Sequence, residues 1–169
     1  NIFDFMMKIQ NLRFGEAVKH LAVLAGMQPY VFSKQDEERE KKWKIYSLIF
    51  SKYVDFYHEQ LLKNNDYSLA REYLKDRSLD KNQVKKFKIG FIEKNPNFFD
   101  QLKKEFNLED LLETGLFYLD EKKKIYVERF KGRLIFPINN ISGHPIAFGG
   151  RIIENSDFLA KYINSPETN

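Results

Sequence analysis

Residues 128–168 read ERFKGRLIFPINNISGHPIAFGGRIIENSDFLAKYINSPET. Two short apolar runs, at 134–138 and 145–153, are interleaved with arginines and turn residues, and a polar Lys-Tyr-Ile-Asn-Ser-Pro-Glu-Thr run closes the segment. That alternation is the signature of short strands. Charge gathers in the same region. Residues 121–151 hold seven Lys or Arg against two Glu, an excess of +5, whereas the whole chain carries only +4. Positive charge concentrated on a strand-rich platform suits a polyphosphate or a nucleic-acid backbone.

Working outward, residues 116–119, 125–130, 134–138 and 145–153 predict an antiparallel meander. Its turns fall at Asp120-Glu121, Lys131-Gly132 and residues 139–143. Pro137 and Pro145 have no N–H to donate, so each belongs at an edge or a bulge. Residues 89–92 predict a further short strand. Helices are expected at 97–106 and 108–114, the second running from Asn107 to a stop at Gly115. Ser68 can cap a helix reaching Asp76, and Asp80 with Gln83 forms a capping box for one ending near Phe87. Residues 34–63 predict a single long helix. Its first turns are charged (Asp36, Glu37, Glu38, Arg39, Glu40, Lys41, Lys42). Trp43, Tyr46, Ile49 or Phe50, Tyr53, Tyr57 and Leu61 then recur at spacings of three and four. Residues 14–25 place Phe14, Val18, Leu21 and Ala25 on one helical face, Gly26 suits a left-handed cap, and Pro29 discourages continuation. The fold class is α+β: a helical amino-terminal half with a long tether helix, then a small antiparallel sheet with flanking helices. A domain boundary is expected near residues 27–35.

The 169 residues, 43% of them hydrophobic, suffice for one core or a core plus a satellite. With no cysteine, disulfides and thiolate-ligated metals are excluded within these residues, which fits a reducing cytoplasm. No apolar run approaches the ~20 residues of a membrane span, so no membrane partner is expected. The amino terminus lacks the pattern of a signal peptide. Both ends read as cut, and the sequence as a piece of a longer protein.

Arg129 and Arg133 flank the Lys131-Gly132 turn and, on a 125–138 hairpin, can converge on one ligand. Arg151 follows Gly149-Gly150, where a second backbone can come close. Guanidinium groups grip phosphate oxygens in pairs, which lysine cannot match. The competing structural reading makes the arginines solvent-facing, with Glu128 and Glu154 as ion-pair partners. Lys161, Tyr162, Asn164 and Ser165 offer a cation, an aromatic face and short polar groups, or simply a surface turn. Lys122-Lys123-Lys124 reads as a solvated hairpin tip. His20, His58 and His144 lack metal-ligand spacing, Gly149-Gly150 lacks the P-loop pattern, and no carboxylate pair suits magnesium. The residues alone point to binding of an anion, with no catalytic group.

Three blocks now carry more than composition does: Arg133-Leu134-Ile135-Phe136-Pro137-Ile138, Phe148-Gly149-Gly150-Arg151, and Lys161 through Thr168. In order and spacing they resemble the bacterial replicative primases of the DnaG type. Glu128-Arg129-Phe130, Ala70-Arg71-Glu72-Tyr73-Leu74 and Phe87-Lys88-Ile89-Gly90-Phe91 extend the resemblance, as do Phe5-Met6-Met7-Lys8-Ile9 and Phe14-Gly15-Glu16-Ala17-Val18. Ala147, in place of a usual glycine, and Ile163, in place of leucine, are mild departures. The resemblance implies a DNA-directed RNA polymerase that makes short RNA primers on single-stranded DNA, with zinc and magnesium in the parent protein. It divides the chain into the tail of a zinc-binding domain (1–27), a linker and long helix (28–63) and the amino-terminal subdomain of the polymerase core (64–169). Zinc ligands would precede Asn1 and the acidic Toprim residues would follow Asn169, leaving this piece catalytically silent and without metal. Arg129, Arg133, Arg151 and Lys161 match basic positions lining the template groove, and Tyr162, Asn164 and Ser165 match the polar segment beside it. The implied partners are single-stranded DNA template, RNA–DNA hybrid and, through a region absent here, the replicative helicase, all in the bacterial cytoplasm at the replication fork. The alternative is a non-enzymatic module whose long helix docks a partner protein.

Overall fold

The structure is a computed structural model that describes residues 1–28, 33–154 and 158–166. Pro29, part of the expected 27–35 boundary, and the Glu167-Thr168 end of the polar run lie outside the described residues. The chain forms two compact units, Asn1–Trp43 and Lys44–Asn169.

The first unit begins with α1 (Ile2–Gln10), a helix that the sequence reading does not assign. Its start is a capping box in which Asn1 Oδ1 accepts the N–H groups of Phe3 and Asp4 at 2.9 and 3.1 Å. α2 (Phe14–Leu24) follows, and Gly26 takes the expected left-handed conformation at φ 67°. The rings of Phe3 and Phe14 lie 5.8 Å apart between the helices. The buried side of α2 differs from the expected one: Ala17 is buried, whereas Phe14 and Ala25 are exposed.

α3 (Lys34–Lys63) has the expected bounds. Within the second unit it buries Tyr46, Ile49, Phe50, Tyr53, Val54, Tyr57 and Leu61, a stripe at spacings of three and four. Trp43, expected on that stripe, is exposed because the packed part of the helix starts after it. Arg71, on α4 (Ser68–Asp76), closes the end of α3 by donating to the carbonyls of Leu61 and Asn64 at 2.8 and 2.6 Å. α5 (Lys81–Lys86) carries the expected Asp80–Gln83 box, with reciprocal bonds of 2.9 and 2.8 Å. α6 (Phe98–Leu102) is shorter than expected, and α7 (Leu108–Glu113) ends before Gly115 at φ 69°.

The strands are β1 (Gly90–Ile92), β2 (Phe117–Asp120), β3 (Ile125–Glu128), β4 (Arg133–Asn139), β5 (Pro145–Ile152) and β6 (Tyr162–Asn164). They do not form one meander. β2 and β3 make a two-stranded sheet, while the other four make an antiparallel sheet in the order β1-β4-β5-β6. The expected 125–138 hairpin is therefore absent. The consecutive residues Val127 and Glu128 are both buried, which breaks the period of two, and Gly132, at φ 72°, donates to Glu93 O at 3.0 Å and redirects the chain toward β1. Both prolines sit where their missing donor is harmless. β1 pairs only with residues 133–135, leaving Pro137 with a partner on one side, and Pro145 lies opposite the register shift at Ile138/Asn139.

One face of the four-stranded sheet packs on α3, with Tyr53 touching Tyr57, Phe117 and Phe148 at ring distances of 4.9 to 5.9 Å. Gly90 allows the closest approach, since a Cβ there would stand 3.0 Å from the Tyr57 backbone. The other face, through Leu134, packs on Leu61, Tyr67, Ala70, Leu74 and Val84. Gly150 holds the ring of Phe130: a Cβ would lie 2.9 Å from Phe130 Cε1 and closer still to Cδ1. The expected gap at Gly149-Gly150 is filled on this side by a ring, not by another backbone.

Glu128 corrects a second expectation. It is only 2% exposed, and instead of a cation it accepts the Tyr57 hydroxyl and the Phe99 N–H, the latter at 3.3 Å. Burial raises its pKa from 4.5 to about 7, outweighing the hydrogen bonds from Tyr57 and Phe99 that act in the opposite sense. Burial, and then the Glu128 charge, push the hydroxyls of Tyr53 and Tyr57 up. Glu154, by contrast, does form an ion pair, with Lys94 at 2.6 Å. The Lys122-Lys123-Lys124 tip is exposed, as expected.

Two stability predictions follow from this packing. An acid whose folded pKa is raised stabilises the fold fully below its unfolded pKa and loses that contribution as pH climbs through the folded value. Wild type should therefore lose about 3 kcal/mol between pH 4.5 and 7 from this group, with no further change above. In urea unfolding, Glu128→Gln should be the more stable protein at pH 8, with the advantage shrinking toward pH 5; a difference independent of pH would contradict this. Gly150→Ala should lower stability by about 1–3 kcal/mol through overpacking against Phe130, and an unchanged urea midpoint would show that the ring is free to move.

Candidate nucleic-acid interface

The polar run at 161–166 folds as β6, a strand the sequence reading treats as a surface segment, and pairs with the glycine-arginine end of β5. In this register Gly149 faces Asn164, Gly150 faces Ile163 and Arg151 faces Tyr162. Residues opposite each other in an antiparallel pair share a face. Arg151, Tyr162 and Asn164 thus occupy one face of the sheet with Leu134. Arg133, which pairs with Ile152 and Ile92, occupies the other.

Arg151 is only 8% exposed and lies between two tyrosine rings, its guanidinium carbon 5.0 Å from the centre of Tyr73 and 4.8 Å from that of Tyr162. Its Nε donates to the Tyr73 hydroxyl, while Nη1 is buried and has no hydrogen-bond partner. Tyr162 is 64% exposed, and Lys161 and Asn164 are exposed beside it. The outer edge of β6 borders no other strand among the described residues.

The remaining predicted residues have other surroundings. Arg133 is 5% exposed, and its Nη1 donates to Lys161 O at 3.4 Å, the carbonyl that also receives the Ile152 N–H at 3.1 Å. Burial lowers its pKa. Arg129 donates from Nε to Gly115 O at 2.5 Å and lies 5.9 Å from the centre of the Tyr118 ring on β2. Ser165 continues the strand: its N–H donates to Phe148 O at 2.9 Å and its Oγ accepts the Phe148 N–H at 3.1 Å. Pro166 rests on Gly115, where any Cβ would collide with its ring. The three arginines accordingly do not converge: Arg129 belongs to the β2–β3 corner, and Arg133 and Arg151 to opposite faces. The cause is the absence of a β3–β4 hairpin. Tyr73 is the residue that sequence reasoning did not select. Its only signal was a place in the Ala-Arg-Glu-Tyr-Leu block, where an amphipathic helix explains a tyrosine equally well.

A family model described as the DNA primase catalytic core, N-terminal domain, matches residues 56–169. The chain belongs to the DNA primase family. A DNA primase from Buchnera aphidicola subsp. Baizongia pistaciae is 36% identical over 175 residues, which cover 99% of this chain and 29% of that protein. Among solved structures, the Aquifex aeolicus primase with its zinc-binding and RNA polymerase domains aligns with 98% of this chain and 38% of its own, at 31% identity and a TM-score of 0.63. A DnaG primase catalytic domain bound to ssDNA aligns with 77% of this chain and 40% of its own, at 30% identity and a TM-score of 0.64. The chain thus spans less than a third of the length of the curated primase it matches. The mixed architecture, with helices flanking a small antiparallel sheet, is that of the DnaG catalytic core. Among the described residues, no three His, Cys, Asp or Glu side chains come together as a metal-ligand group. No described helix is long and apolar enough to cross a membrane.

A primase strand that is stitched to its neighbour by a serine should respond to losing it. Ser165→Ala removes the acceptor for the buried Phe148 N–H and should cost about 1 kcal/mol in urea unfolding. An unchanged urea midpoint would show that the hydrogen bond from Phe148 contributes nothing to this edge.

Proposed function

We propose that this chain is part of a primase that makes short RNA primers on single-stranded DNA, and that the β6 edge with the Arg151 face holds the template strand and the RNA–DNA hybrid. The observation that carries the reading is Arg151: a guanidinium held between two rings, with a buried, unpartnered Nη1, beside the exposed Tyr162, Lys161 and Asn164. A buried donor left without a partner costs about 1–3 kcal/mol, and a phosphate oxygen is the acceptor that relieves it. Tyr162 offers a ring on which a base can stack, and Lys161 adds a mobile charge. Tyr73 sets the angle of the guanidinium. Arg133 and Arg129 support this edge by tying down the Lys161 and Gly115 carbonyls, and Ser165 by its bonds to Phe148.

The solved DnaG catalytic domain bound to ssDNA supports the choice of ligand. In this reading residues 1–27 are the tail of a zinc-binding domain, 28–63 a linker and long helix, and 64–169 the amino-terminal subdomain of the polymerase core. The zinc and magnesium ligands of the whole protein, and its helicase contact, then lie outside these residues, and this stretch alone joins no nucleotides. The protein works in the bacterial cytoplasm at the replication fork.

Fluorescence anisotropy with a labelled single-stranded oligonucleotide tests the interface across a salt series. Tyr162→Ala should weaken binding by about 1–3 kcal/mol of stacking. Arg151→Ala should also flatten the logarithmic salt slope by about 0.7, the share of one single-strand phosphate. Unchanged affinity and slope in both variants, with melting curves showing them folded, would refute the assignment.

A further inference from the structure

Where the end of α3 meets α4 and α5, the second unit carries a groove of about 910 Å³, toward the upper end of the ~300–1,000 Å³ range of ligand sites. The turn between α4 and α5 shapes it. Ser78 is left-handed at φ 62°, its N–H donates to Lys75 O at 2.8 Å, and the Leu79 N–H donates to Leu74 O at 3.0 Å. These are the two bonds of a Schellman cap, which ends α4 and sets Leu79 against the cluster that contains Leu74. The floor of the groove is aliphatic: buried Leu61, Leu74 and Val84, half-buried Leu79, and Leu62, which is 37% exposed. No residue lining it carries a ring.

Around that floor stand Lys63, Arg71, Lys75, Lys81 and Lys85, against two carboxylates, Glu72 and Asp80. Asp80 is engaged as the cap of α5, its Oδ1 accepting the Gln83 N–H at 2.8 Å. Lys63 pairs with Glu59 at 2.9 Å, but both are exposed and the pair is weak. Arg71 donates to the Leu61 and Asn64 carbonyls, which satisfies its N–H groups and leaves its charge in place. Lys75, Lys81 and Lys85 are exposed and form no ion pair among the described residues. Lys81 and Lys85 also lie one turn apart on α5, where like charges repel, on either side of Val84.

Floor and rim select a ligand with two chemistries. Aliphatic side chains gain by being covered with others like them, and the rim lysines gain from facing carboxylates. A nucleic acid supplies charge, but the groove has no ring on which a base could stack. A second copy joined groove to groove would bring the same cations together. We infer that the groove docks a partner protein through an acidic amphipathic segment, with large aliphatic side chains on the floor and carboxylates against Lys75, Lys81 and Lys85. None of the groove residues belongs to the β6 edge, so the inference stands apart from the template reading.

Fluorescence anisotropy on the purified protein tests it, with a labelled synthetic helix bearing leucines at i, i+3, i+4 and i+7 and Asp or Glu elsewhere. Binding is expected at about 20 mM salt and should weaken as salt rises to about 200 mM. Lys81→Glu with Lys85→Glu should weaken it about tenfold, and Leu62→Asp, at the exposed edge of the floor, by about as much. Lys122→Ala with Lys123→Ala, at the exposed hairpin tip, should leave it within about twofold, because distant exposed charges are screened. On the unaltered protein, a peptide of the same charge with serine in place of leucine should bind about tenfold more weakly or worse. Equal binding of the serine peptide marks charge attraction alone and would overturn the inference. So would a single-stranded oligonucleotide that displaces the leucine peptide and depends on the same lysines, which assigns the groove to nucleic acid. A dimer in sedimentation that Lys81→Glu with Lys85→Glu dissolves would assign it to a second copy. Peptide binding that the whole primase lacks would assign it to another part of the same protein, and no binding at about 100 μM protein would leave the groove without the proposed partner.

Discussion

Tyr53 stands where the long helix crosses the sheet, and the second unit is built around that crossing. Its ring meets Tyr57 on the same helix, Phe117 from the two-stranded sheet and Phe148 from the four-stranded one, each edge-on. Edge-to-face pairs of this kind contribute about 0.5–1.5 kcal/mol each beyond their buried area. They also fix orientation, which a purely aliphatic core does less well. The helix can come this close only because β1 presents Gly90 to its backbone. Once helix and sheet are locked, the positions of β4 and β5 follow, and with them the Gly150 slot that receives Phe130.

Into this aromatic core the fold admits one carboxylate. Glu128 sits under Tyr57 and the Phe99 amide, and the Tyr53 hydroxyl lies nearby without meeting hydrogen-bond geometry. A buried charge with neutral donors alone is poorly compensated, which is why burial governs its titration. The two buried arginines solve the opposite problem differently. Arg133 is tied to a backbone carbonyl, whereas Arg151 lies between rings and keeps one nitrogen unpaired. Of the two, only the second keeps a buried donor without a hydrogen-bond partner.

Much of the architecture was legible from local rules. The span of α3, the Asp80–Gln83 box, the Gly26 and Gly115 caps and the prolines at a half-paired strand and a bulge all rest on interactions within a few residues. The misreadings have the opposite character. Alternation at 125–130 fitted one long strand until the burial of the adjacent Val127 and Glu128 ended it. The 161–166 segment looked like a polar turn because an edge strand needs only backbone partners, which Phe148 and Arg151 supply. The inward face of α2 was misjudged because α1, a helix absent from the reading, lies against it.

The sequence by itself determined the α+β class, the long helix, the basic character of the carboxyl-terminal strands and, through three blocks in fixed order, membership among the primases. These are properties of composition, period and spacing, which survive without knowing which elements touch. Only the tertiary structure decided which cations share a face. A single turn at residues 129–132 moves β4 out of register with β3 and into another sheet, and this sends Arg129, Arg133 and Arg151 to three different surroundings. Side-chain direction alternates with every residue along a strand, so the choice of strand partner, a long-range event, settles what a charge can reach.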